Sequence, residues 1–126
     1  MKSLINIPEK MKALVLYGVG DLRVTEVDVP KLEKGTVLLK IKACGICSSD
    51  MPRCFVTGTY HFPTIPGHEF SGQIVAVGDE VDESLLGKRS CVFPMLPCKH
   101  CKACKMEEYA LRSWRQSGGI CTMLRL

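Results

Sequence analysis

Short apolar runs broken by glycine and proline fill the first ninety residues, and that punctuation limits the chain to short strands joined by tight turns. Residues 11–17 form one such run, closed by the turn signal Gly18-Val19-Gly20. Residues 21–29 alternate Leu22, Val24, Glu26 and Asp28 against Arg23, Thr25, Val27 and Val29, then stop at Pro30. Residues 36–43 make the clearest strand. Val37, Leu39, Ile41 and Ala43 share one face, and Lys40 and Lys42 lie on the other. Residues 72–78 and 90–93 supply two more. Strands of this length and spacing predict a mainly β fold, a barrel or sandwich rather than a parallel sheet. Helical signal is sparse: Ser48-Ser49-Asp50 is a capping cluster for a short helix through Phe55, and residues 102–111 lack glycine and proline.

Several functions are excluded early. No G-x-G-x-x-G run follows a strand and opens a helix, so no dinucleotide-binding domain is expected in these 126 residues. No apolar run reaches the eighteen residues of a membrane span, and the start of the chain lacks the apolar core of a signal peptide. A cytoplasmic location without membrane contact is the expectation. Eight cysteines without a secretion signal, five of them in two tight groups, point to metal rather than to disulfides. The net charge of +4 is localised. Residues 1–97 carry eleven basic and eleven acidic side chains, and 98–126 carry six basic and two acidic. That segment has only Tyr109 and Trp114 as aromatic residues able to stack on bases, with no run of them, so nucleic acid is not the expected partner.

The chemistry-bearing residues fall in two clusters. Cys47 stands just beyond a strand at a helix start, where the helix dipole favours a thiolate. His68 and Glu69 come after the turn at Pro66-Gly67, twenty-one residues on. A catalytic zinc takes three ligands from thiolate, imidazole and carboxylate and leaves one position open. Asp50 is placed to accept a hydrogen bond from the free ring nitrogen of His68. Ser49 offers a hydroxyl for passing a substrate proton outward. Taken singly, Cys47 reads as a buried thiol and His68 as a turn residue; taken together they favour a metal site. The second cluster is Cys98-x2-Cys101-x2-Cys104. Cys44 and Cys91, at or within strands, read as core thiols. Cys54 carries no assigned role, and His61 reads as an exposed loop residue.

These stretches resemble the N-terminal catalytic domain of zinc-dependent medium-chain alcohol and polyol dehydrogenases. The matching runs are Cys44-Gly45-Ile46-Cys47-Ser48-Ser49-Asp50, Pro66-Gly67-His68-Glu69-Phe70-Ser71-Gly72, Val75-Ala76-Val77-Gly78 and Gly87-Lys88-Arg89, then the cysteine cluster. Within the family, Asp50-Met51-Pro52-Arg53 and His68 to Gly72 are most similar to galactitol-1-phosphate 5-dehydrogenases. The resemblance implies a chaperonin-10-like (GroES-like) barrel over 1–97, a cysteine-rich structural-zinc lobe over 98–112, and an aberrant tail over 113–126. It implies that Cys47 and His68 bind a catalytic zinc, with Glu69 a ligand or nearby carboxylate, Ser49 starting a proton relay and Asp50 steadying His68. It further implies that Cys98, Cys101 and Cys104 bind a second zinc whose fourth thiolate would fall eight residues on, where Arg112 stands. A three-thiolate site could recruit His100, awkwardly placed inside the loop, or Cys121, distant in sequence; three reduced cysteines without metal is the competing reading.

The match ends at Arg112, and a shifted reading frame or other gene lesion is the expected origin of the residues beyond it. The segment that normally returns to the barrel is expected to be missing with it. In the family, the third catalytic ligand and the NAD(P) domain come later in the chain. The resemblance therefore implies oxidation of a secondary alcohol on a polyol or sugar-alcohol phosphate to a ketone. The full-length protein would be a homo-oligomer, and this stretch alone would be inactive. A second reading is a non-enzymatic zinc module whose basic segment contacts nucleic acid or a partner; a third is a barrel fragment without function.

Overall fold

The structure, a computed structural model, describes residues 2–92, 102–106 and 123–125. Seven strands and two short helices run in chain order: β1 Lys2–Ser3, β2 Lys10–Gly18, β3 Asp21–Asp28, β4 Thr36–Gly45, α1 Asp50–Phe55, β5 Glu69–Val77, β6 Arg89–Cys91, α2 Lys102–Lys105 and β7 Met123–Arg125. A single 3-10 turn, Glu83–Leu85, separates β5 from β6. Each predicted strand is present within a few residues of its expected bounds. The helix expected over 102–111 is described only as α2.

β5 is the organising strand. Along one side it pairs antiparallel with β4; along the other it pairs with β1 near its end and with β6 nearer its start. β7 adds to the far edge of β4, with Thr36 opposite Arg125 and Leu38 opposite Met123. A strand in the tail was not expected, and these three residues bring the chain back to the sheet edge. They lie beyond Arg112, where the resemblance was expected to have ended. β2 and β3 form a separate antiparallel hairpin. Two hydrogen bonds between Leu16 and Thr64, of 2.8 and 3.0 Å, and one from Gly20 N to the Cys54 carbonyl at 2.7 Å tie the hairpin to the segment carrying α1.

The core lies on both faces of the β4–β5 pair. Val37, Leu39, Ile74 and Val77 pack with Val81, Leu85 and Leu86 on one face. Leu38, Val75 and Ala76 pack with Ile7, Val29 and Leu32 on the other. The one-sided alternation expected of residues 36–43 therefore holds only in part. Leu38 is buried because its face is also covered, and Ile41 and Ala43 are exposed. Register shifts between Leu38 and Leu39 and between Ile41 and Ala43 carry the end of β4 out past the covered region. Cys44 and Cys91 correct the reading as core thiols: both are exposed, because Cys44 lies next to the end of β4 and Cys91 ends β6. His61 is exposed, as expected.

Candidate metal centre

Antiparallel pairing assembles the site. Gly45 stands opposite Glu69 and Cys44 opposite Phe70, so the chain leaves β4 beside the point where it enters β5. Cys47 lies two residues beyond β4, and His68 lies one residue before β5. Residues far apart in sequence are thereby brought to one rim. The sulfur of Cys47, a ring nitrogen of His68 and a carboxylate oxygen of Glu69 all lie within 4.8 Å of one another. Cys47 and His68 are half-buried and Glu69 is exposed. The turn delivering His68 depends on Gly67, whose φ of 111° is disfavoured for any residue with a side chain. A Cβ there would also sit 2.9 Å from the Cys44 sulfur.

Asp50 holds the two inner donors in place. α1 begins shortly after Cys47, and the Asp50 amide donates to the Cys47 carbonyl at 2.9 Å. In return the Cys47 amide donates to Asp50 Oδ2, also at 2.9 Å. The other carboxylate oxygen lies 3.3 Å from His68 Nδ1. At that separation the buried Nδ1 still has no formed hydrogen bond. A modest rotation of the imidazole would bring Nδ1–H onto the Asp50 carboxylate. With Asp50 facing Nδ1, Nε2 is left for a metal. A buried ring nitrogen with no partner but a carboxylate, beside a thiol and a second carboxylate, fits zinc in donor type and number.

Ser49 occupies the N-cap of α1 but makes no side-chain capping bond. The capping cluster works differently from expectation: Asp50, inside the first turn, accepts from the Cys47 amide ahead of the helix. Cys54 lies one turn after Asp50 and is buried. Burial raises its thiol above the usual range, and the Asp50 charge pushes the same way. The site opens beside an apolar cleft of about 980 Å³ between the β2–β3 hairpin and the sheet. Met11, Leu14, Ile41, Met51 and Phe70 line it, with Gly45 and Asp50 on its wall. Neither this cleft nor the glycines at its rim had a signature in the sequence, because each depends on strand register. Cys98 and Cys101 lie outside the described residues, as do His100, Arg112 and Cys121; the backbone of Cys104 lies in α2.

Residues 33–125 match the family model of the alcohol dehydrogenase GroES-like domain. The chain belongs to the zinc-dependent medium-chain alcohol and polyol dehydrogenase family. Its fold is therefore the GroES-like one, mostly strand with few helices. Sorbitol dehydrogenase of Bombyx mori is 38% identical over 104 residues, covering 79% of this chain and 30% of that protein. Galactitol 1-phosphate 5-dehydrogenase of Escherichia coli strain K12 is 41% identical over 117 residues, covering 87% of this chain and 34% of that protein. Among solved structures, a cobalt- and zinc-bound thermostable alcohol dehydrogenase from Pyrobaculum aerophilum superposes with a TM-score of 0.75 at 26% identity. The superposition covers 88% of this chain and 35% of that one. The chain thus spans about a third of the length of the curated relatives it matches. Among the described residues, no helix is long and apolar enough to cross a membrane.

Proposed function

We propose that Cys47, His68 and Glu69 hold the catalytic zinc of a polyol dehydrogenase that oxidises a secondary alcohol to a ketone with NAD(P). The observation that carries this reading is the convergence of three different candidate metal donors within 4.8 Å, next to Ile46, Gly67 and Phe70 of an apolar cleft. The family membership supports it, and relatives named for sorbitol and galactitol 1-phosphate make a polyol or its phosphate the substrate class. Bound zinc would lower the pKa of a coordinated alcohol, as it does for water. The chain's own residues do the rest. Asp50 fixes the orientation of His68 and tethers Cys47, which keeps the donors preorganised. Ser49 supplies a hydroxyl between the cleft and solvent for the departing proton. The apolar cleft wall restricts water around the reacting carbon.

Hydride transfer also needs a nicotinamide held against the substrate. We therefore expect no NAD(P)-linked oxidation of sorbitol or galactitol 1-phosphate by these 126 residues alone. Measurable turnover by the purified chain, free of host enzymes, would refute that part. Cys98, Cys101 and Cys104 are proposed as a second, structural zinc site, separate from the first. Metal analysis tests both assignments: Cys47→Ser should remove one equivalent of zinc and Cys101→Ser the other. Unchanged zinc content in Cys47→Ser would sink the catalytic-site reading.

A further inference from the structure

Gly45 carries no chemistry, yet its position governs one of the donors. It is the last residue of β4 and stands directly opposite Glu69, the first residue of β5. Directly opposed residues of an antiparallel pair bring their side chains to within about 5 Å, where they compete for the same space. At Gly45 that space is vacant, and the Glu69 side chain folds back into it. A Cβ on Gly45 would lie 3.0 Å from Glu69 Oε2, whereas the Glu69 Cβ and carbonyl oxygen stand at 3.4 and 3.5 Å, ordinary contact distances. The only tight neighbour is thus the mobile end of a side chain. The backbone at Gly45 does not require glycine, because it is not among the glycines with positive φ. Its need for glycine comes from the carboxylate alone.

We propose that Gly45 is a positioning residue whose missing side chain lets the Glu69 carboxylate reach the metal with Cys47 and His68. This rests on the reading of those three residues as a metal site. A methyl group at Gly45 displaces the carboxylate outward while leaving the strand pair intact. The site then keeps sulfur and nitrogen donors and loses its oxygen donor.

Titration of metal-free protein with cobalt(II) chloride tests this, in a Cys101→Ser, Cys104→Ser background that silences the second cluster. Visible spectra report both affinity and coordination. Gly45→Ala is expected to weaken cobalt binding at least about tenfold and to alter the d–d bands, and Glu69→Gln should do the same. The thiolate-to-cobalt band from Cys47 should persist. Combined with Glu69→Gln, Gly45→Ala should add no further loss, since both changes remove the same contact. Wild-type affinity and spectrum in Gly45→Ala, or losses that add in the double variant, overturn the proposal while leaving the metal site standing. Absence of a thiolate band in the parent protein overturns the metal-site reading and this inference with it. If Gly45→Ala alone unfolds by far-UV circular dichroism, Gly45→Ala with Glu69→Ala should fold. Failure of that pair to fold assigns the glycine to the backbone and overturns the proposal.

Discussion

Asp50 sits at the centre of the site because its carboxylate serves two partners at once, the Cys47 amide and the His68 ring. A buried carboxylate is stable only with such partners, and here they are the two inner metal donors. Asp50→Asn keeps the shape and removes the charge that pairs with the ring. It should lower zinc affinity about 10–100-fold with little change in fold, as read by competition with a chromophoric chelator. Cys54, one turn along α1, makes the opposite case. Its thiol is buried and its pKa raised, so at neutral pH it carries even less thiolate than an ordinary cysteine. Native protein treated with a thiol reagent should be labelled at exposed Cys44 and Cys91 well before Cys54. Raising the pH should speed the labelling of Cys54.

At the scale of elements, β4 and β5 provide both the core and the frame of the site. Leu38 is buried within this pair, while Val24 on the hairpin strand β3 is 73% exposed. Leu38→Ala should cost about 2–5 kcal/mol in urea unfolding; Val24→Ala should stay within about 0.5 kcal/mol. The 3-10 turn after β5 is capped by Asp82, whose carboxylate accepts from the Ser84 amide at 2.8 Å. That bond holds the Asp82 carboxyl below its ordinary value. A depressed carboxyl contributes its stabilisation above the unfolded pKa, about 3.9, and loses it as pH falls through the lower folded value. Protection of the Ser84 amide, corrected for its intrinsic exchange rate, should fall across that acidic window. Asp82→Ala should show the same loss at neutral pH.

For the whole molecule, the hairpin and the sheet face each other across an apolar cleft that the described residues leave open. Exposed Leu14, Met51 and Phe55 extend its apolar surface. Apolar surface on this scale favours dye binding and self-association. The 126-residue chain should enhance and blue-shift the fluorescence of an anilinonaphthalene sulfonate probe at neutral pH. No enhancement would show that the cleft closes in solution.

Strand positions were legible because apolar runs between glycine and proline leave few alternatives, and Cys47, His68 and Glu69 suggested a metal site only when taken together. Burial was read less well. Cys44 and Cys91 look like core residues until the sheet's rim is located, and Leu38 looks like a surface position until a second apolar layer covers it. β7 lies where local residue type carries no strand signal, since pairing with β4 is what defines it. The sequence by itself determined a short-stranded β fold and the candidate donors Cys47, His68 and Glu69, because periodicity and side-chain chemistry are local properties. Only the tertiary structure decided that Asp50 braces both inner donors, that Glu69 leans into the space at Gly45, and that a cleft opens beside them. Those features come from the register of β4 against β5, which fixes distances between residues that no local pattern relates.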